Sequence, residues 1–283
     1  MKRLYQLAAL VLLASPAVAF AQNCTSITTV PATISAPGKY CLAKDATVNL
    51  ASGFGININA NDVTLDCDGR QLINTSSVNT GTSVGIQANY RHNVVIKNCR
   101  VIGGWMNGID VYQDNTKQNT SYYNQVLDNY VAGPLWHGIR AYGSAIEVIG
   151  NTVYDIGGKL NQYAIGIRVG GYASGFRLHV VNGNKVIGTN SPYSAAYGIF
   201  SDNTQSGAFL DNGIAGTSSG EGKNAYGLYI VGQYNRISDN HVTGVGSPTE
   251  TGIWTSNETT SCFDNYLRTS AWTANCDATM GNY

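Results

Sequence analysis

Arg140 and Arg168 each follow a Gly-Ile pair, in HGIRAY and IGIRVG. A guanidinium keeps its charge at any ordinary pH and forms paired bonds to carboxylates. Two of them side by side could neutralise the carboxylate of a uronic acid and acidify the neighbouring C–H. β-Elimination needs that neutralisation, a base for the proton and an acid for the leaving oxygen. His137, Tyr142, Tyr163 and Lys159 lie near enough in sequence to be candidate bases or acids. His137 sits in PLWHGIR, directly before the Gly-Ile pair. A histidine beside a tryptophan is also a common packing residue, and Arg140 has Asp110, after another Gly-Ile pair, as a structural partner.

Residues this far apart need a scaffold with a fixed period. Gly-Ile recurs at Gly55, Gly85, Gly108, Gly138, Gly166 and Gly198, then as Gly227-Leu228 and Gly252-Ile253. The steps are 30, 23, 30, 28, 32, 29 and 25 residues. Between these falls a second marker: an apolar residue, then Asn three later and another apolar residue two after that, often with Gly following. Val126-Asn129-Val131, Val148-Asn151-Val153, Val181-Asn184-Val186, Phe209-Asn212-Ile214, Ile237-Asn240-Val242 and Cys262-Asn265-Leu267 fit it. Ile96-Cys99-Val101 is an earlier copy with Cys in the Asn place. Each copy holds short alternating strands parted by Gly and Asn turns, too little to close a core alone. Stacked copies close one together. The Asn column then predicts an amide ladder, each side chain bonding its equivalents above and below.

On that scaffold the residue after the Ile points outward. The outward column reads Asn57, Gln87, Asp110, Arg140, Arg168, Phe200, Tyr229 and Trp254. A second includes Asn59, Asn89, Tyr112, Tyr142 and Asp202. Charged groups hold the middle and aromatic rings the C-terminal half. The longer insertions GGKLNQYA, GTNSPYSAAY and GTSSGEGKNAY would wall one side. The result is a groove with Asp110, Tyr112, Tyr163, Phe200, Tyr229 and Trp254 as binding residues, suited to sugars through ring stacking and hydroxyl bonds. Exposed rings also support a sheet through neighbour contacts alone. Glycoside hydrolysis needs carboxylates about 5 to 9.5 Å apart. Asp110 and Asp202, three coils apart, are separated by about 14 Å at 4.8 Å per coil, so hydrolysis would have to use Glu147, Asp155, Glu221 or Glu250.

NDVTLDCDGRQL, NVVIKNCRVIGG and the repeated DN-x-V-x-G resemble the secreted right-handed parallel β-helix proteins of the pectate-lyase-like superfamily, over nearly the whole chain after its first 21 residues. APGKYCLAKD is similar to the lead-in before the first coil in many of them. The resemblance implies an all-β fold: one single-stranded right-handed parallel β-helix of about eight coils, with caps near residues 23–50 and 268–283. It implies a basic groove and, in the lyases, Ca²⁺. Their Arg-x-Pro-x-x-Arg signature is absent, as is the polygalacturonase set, so no catalytic residue carries over. Ca²⁺ rests on the resemblance alone; Asp66 and Asp68 read as turn chemistry, and no metal ligand or other cofactor is assigned.

Lys2, Arg3, the apolar run Leu7–Leu13 and the Ala-x-Ala at Ala19–Ala21 describe a secretory signal peptide over residues 1–21, leaving one domain over 22–283. The expected location is secreted or periplasmic, with no membrane-spanning segment. Without Lys2 and Arg3 the 17 basic residues become 15 against 17 acidic, a net of about −2. That argues against nucleic acid and leaves a polysaccharide as the expected partner, with a binding or surface-structural module as the alternative to an enzyme. Six cysteines suit an oxidising compartment. Cys24 with Cys41 and Cys262 with Cys276 are the first-choice pairs. Cys67 and Cys99 either bond across coils or pack as thiols. Oligomeric state is not encoded in any of these patterns.

Overall fold

The computed structural model describes residues 24–78, 80–112, 123–157, 162–171, 178–220, 222–246, 249–269, 273–274 and 276. The expected leader lies outside them, as do Lys159 and Glu221.

Every assigned element is a β-strand, and every pairing is parallel. Each coil runs through three strands. In one coil these are Asn124–Leu127, Tyr130–Ala132 and His137–Tyr142. The equivalents stack into three sheets, called here first, second and third. Eight coils of this kind run from Gly38–Leu42 to Thr249–Thr255, matching the eight Gly-Ile copies. Two strands precede them and three follow. This is the parallel β-helix that the repeat predicts.

The core is made of columns. Ile56, Ile86, Ile109, Ile139, Ile167, Ile199, Leu228 and Ile253 form one, all fully buried. Val126, Val148, Val181, Phe209, Ile237 and Cys262 form the second, and Val131, Val153, Val186, Ile214, Val242 and Leu267 the third. Side chains that touch only their equivalents above and below bury a continuous interior that no single coil could close.

The glycine of each Gly-Ile pair has a steric cause. A Cβ on Gly166 would overlap Val186 Cγ1 and lie 2.6 Å from the Gly198 carbonyl oxygen; Gly138 meets Val153 and the Gly166 oxygen in the same way. Glycine and isoleucine therefore both face inward, and strict alternation breaks at this point.

The Asn ladder forms as the spacing predicts. Nδ2 of Asn129, Asn151, Asn184, Asn212 and Asn240 each donates to Oδ1 of the next, ending at Asn265, at 2.9–3.0 Å. Each Oδ1 also accepts the backbone N–H of the coil before, as in Asn151 to Asn184 at 3.0 Å. At the N-terminal end the Cys99 N–H donates to Asn129 Oδ1 at 2.9 Å, and the Cys67–Cys99 disulfide continues the column. Cys24–Cys41 and Cys262–Cys276 bond as expected. Three disulfides are consistent with an oxidising, extracellular setting.

Among the described residues, parts of the longer insertions pair as strands. Lys185–Ser191 extends the second sheet; Asn190 and Ser191 pair with Ser218 and Ser219, and Ser218 bridges Gly246.

Candidate functional site

The third sheet carries the expected outward column in unbroken register. Asn57 pairs with Gln87, Gln87 with Asp110, Asp110 with Arg140, Arg140 with Arg168, Arg168 with Phe200, Phe200 with Tyr229 and Tyr229 with Trp254. The second column runs Asn89, Tyr112, Tyr142, Gly170, Asp202.

Both arginines are engaged. Arg140 Nε donates to Asp110 Oδ1 at 2.8 Å and Nη2 to Oδ2 at 2.6 Å. The Asp110 side chain is 1% exposed against 24% for Arg140. Asn107 Nδ2 adds a bond to Asp110 Oδ2 at 3.1 Å, and Asn107 Oδ1 lies 2.9 Å from His137 Nδ1. Because that amide oxygen can only accept, His137 carries a hydrogen on Nδ1. His137 is fully buried, packed against Trp136 with centroids 4.2 Å apart. Through Asn107 it is linked to the Asp110–Arg140 pair, and its ring also meets Tyr163 edge-on at 6.4 Å.

Arg168 forms the other pair. Its Nε and Nη2 both donate to Asp202 Oδ2, at 2.9 and 2.6 Å. The guanidinium lies over the Tyr142 ring at 5.1 Å and the Phe200 ring at 5.4 Å, and it also donates to the Tyr163 hydroxyl. Gly170 stands between Tyr142 and Asp202 in the second column; a Cβ there would come within 3.0 Å of both side chains. The missing side chain is what lets Arg168 reach one coil up and one column across. Burial pushes Arg168 down from its ordinary value, opposed chiefly by Tyr163. Burial pushes the Asp202 carboxyl up to about 6.

The aromatic half is a pair of stacks. Phe200 stacks on Tyr229 (5.4 Å, 19°) and Tyr229 on Trp254 (4.1 Å, 10°). Tyr197 stacks on Tyr226 (5.3 Å, 7°), nearly perpendicular to Tyr229. Tyr229 thus has a ring on each face. Tyr112 and Tyr142 also stack, at 5.9 Å and 20°. Burial, reinforced by Tyr226, Tyr229 and Tyr163, pushes the Tyr197 hydroxyl up to about 12. It therefore keeps its proton near neutrality.

No family model matches the chain. No curated protein matches it either. Among solved structures, the crystal structure of the Dettilon tailspike protein aligns over 91% of this chain and 60% of its own, with 12% identity and a TM-score of 0.36.

The alternative carboxylates are placed elsewhere. Glu147 lies on the first sheet, accepting from Gln125 at 2.6 Å. Asp155 lies on the second. Glu250 is on a third-sheet strand, in register with Ala225. For Asp66, burial alone would raise the carboxyl, but Asn98, the Asp68 amide and Lys97 together hold it below the usual range. The Asp68 N–H donates to Asp66 Oδ1 at 3.1 Å, which is turn chemistry. Among the described residues, no group of three or more His, Cys, Asp or Glu is placed to hold a metal ion, and no helix is long and apolar enough to cross a membrane.

One functional column was not read from the sequence. Asn107, His137, Ile165, Tyr197 and Tyr226 share a register just before the glycines. Period-two counting back from the Ile puts them inside. The inward glycine breaks that alternation: Tyr197 and Tyr226 are half-buried beside Phe200 and Tyr229, while His137 and Ile165 at the same register are fully buried. The repeated Tyr-Gly in AAYGIF and NAYGLY was the available signal.

Proposed function

We propose that the outer face of the third sheet is a polysaccharide-binding groove of an exported protein. The observation that carries this is the way side-chain chemistry is distributed. Along this face a buried frame that repeats coil after coil carries two amides, then Asp110 and two arginines engaged in ion pairs, then three stacked aromatic rings. Tyrosine hydroxyls, ring edges and half-buried guanidinium groups together offer the mixed polar and apolar contacts that sugar rings take.

The test is binding of the purified chain to a panel of neutral and acidic polysaccharides. Tyr229→Ala and Trp254→Ala should weaken retention on whichever glycan binds. Equal retention by both variants and the native chain counts against the groove.

Lyase chemistry is the second reading, favoured by Asp202. A carboxyl titrating near neutrality beside a guanidinium, a buried tyrosine hydroxyl and a second arginine one coil below supplies charge neutralisation and proton donation together. Arg168 and Arg140 would face the uronate carboxylate, with Tyr142, Tyr163 and Tyr197 around the leaving oxygen. Incubation with uronate polymers, following ultraviolet absorbance of the unsaturated product, decides it. No absorbance with retained binding leaves a binding module. Reducing sugar released without absorbance points to hydrolysis.

A further inference from the structure

We propose that Arg168 is the anion subsite of this groove, that Asp202 occupies it as a built-in counter-ligand, and that protonation of Asp202 vacates it for a carboxylate or sulfate group on a glycan. The proposal rests on the polysaccharide reading above and names the group that the middle of the groove selects.

The two ion pairs of the sheet are built differently. Asp110 uses both oxygens on Arg140, takes a third bond from Asn107 and is sealed from water. Asp202 is 27% exposed, and among the described residues both bonds reaching its carboxylate come from Arg168 and end on Oδ2. Its strand also departs from regular register between Ser201 and Thr204, with Asn203 at φ 56°. Asp202 is thus held at one point on an irregular stretch, where a small rotation frees it.

The arginine, by contrast, is fixed. Tyr142 and Phe200 lie against its two faces. What it turns toward Asp202 is the Nε and Nη2 edge, a planar fork matched to carboxylate or sulfate geometry. Once Asp202 withdraws, that edge faces the groove already oriented. The groups around Asp202 are Arg168 and, across Gly170, Tyr142 from the coils before, and Tyr229 from the coil after, whose hydroxyl is raised by burial and in part by Asp202. Tyr163, Arg140 and Asp110 act on Arg168 from beyond it. Asp202 is the one carboxylate paired to Arg168 among the described residues. Its upward displacement means that mild acid discharges it first, while a glycan carboxylate with an ordinary value near 4 stays charged.

The experiment is calorimetric titration of the full chain with a uronic acid tetrasaccharide and with its carboxyl-reduced, neutral counterpart. The acidic tetrasaccharide should bind about tenfold tighter at about pH 5 than at about pH 7.5, the size of one charge-assisted contact. The neutral one should show no such gain. Asp202→Asn should bind the acidic tetrasaccharide at about pH 7.5 as tightly as the native chain does at about pH 5, with its pH dependence gone. Asp202→Ser gives the same result if the amide perturbs the strand. Near pH 6 the native chain should take up a proton on binding, read from buffers of different ionisation enthalpy. Acidic-tetrasaccharide binding that is pH-independent, or that Asp202→Asn leaves no tighter, overturns the gate while sparing the groove. Failure of both tetrasaccharides to bind at either pH overturns both.

Discussion

Two columns run the length of this molecule and obey opposite rules. At the turn between the first and second sheets, asparagine repeats in six coils and bonds only to its own kind and nearby backbone. On the outer face of the third sheet the register is equally strict, yet of Gln87, Asp110, Arg140, Arg168, Phe200, Tyr229 and Trp254 only the two arginines are alike. Both columns see the same coil spacing. The repeated column is therefore the one that stabilises the stack, and the varied column is free to be selected for what it touches.

The hardest blow to the repeated side is loss of the disulfide. Cys67→Ala with Cys99→Ala should cost about 3 to 4 kcal/mol by the loop it closes, measured by urea unfolding. Replacing both by Asn, which extends the ladder, should recover about 1 kcal/mol of that. No difference between the Ala and Asn pairs would mean that the column does not propagate to this end. Asn184→Ala should cost about 3 kcal/mol, because it strips partners from Val148, Asn151 and Asn212 at once. A loss under about 1 kcal/mol would show that the ladder is replaceable by water.

On the varied side the two ion pairs should separate. Asp110→Asn leaves a largely desolvated arginine without its partner and should cost about 2 kcal/mol or more. Asp202→Asn should be nearly neutral at pH 7, since its partner keeps Tyr163 and two rings. The smallest effect is one of slope. Asp202 is raised in the folded chain, so between about pH 4 and 6 the folded state binds more protons than the unfolded state. Stability should fall gently as pH rises through that window and stay level above it. Asp202→Asn should lack the slope, and a native chain as flat as the variant would contradict the raised carboxyl.

Legibility followed the same division. The Gly-Ile and Asn markers predicted the coil count, the core columns, the amide ladder and the outward register residue by residue, because each of these is a contact between equivalent positions. Cys67 opposite Cys99 was readable for the same reason, though bond and packed thiols could not be told apart. Arg168–Asp202 was not, since it runs diagonally across a column and depends on Gly170 having no side chain. Tyr197 and Tyr226 were missed because the inward glycine breaks the two-residue alternation. Ring-on-ring stacking was not legible, because spacing gives the distance between coils and says nothing of ring tilt.

The amide ladder has one more property. From Asn129 to Asn240 each Nδ2 gives one hydrogen to the Oδ1 of the next coil and one to a carbonyl of the coil before, so the amide-to-amide bonds all point one way. A coil laid on in the reverse sense would set carbonyl against carbonyl. The spine therefore proof-reads polarity: whole coils can be gained or lost between two asparagines, shifting the groove in steps of about 4.8 Å, but none can enter upside down.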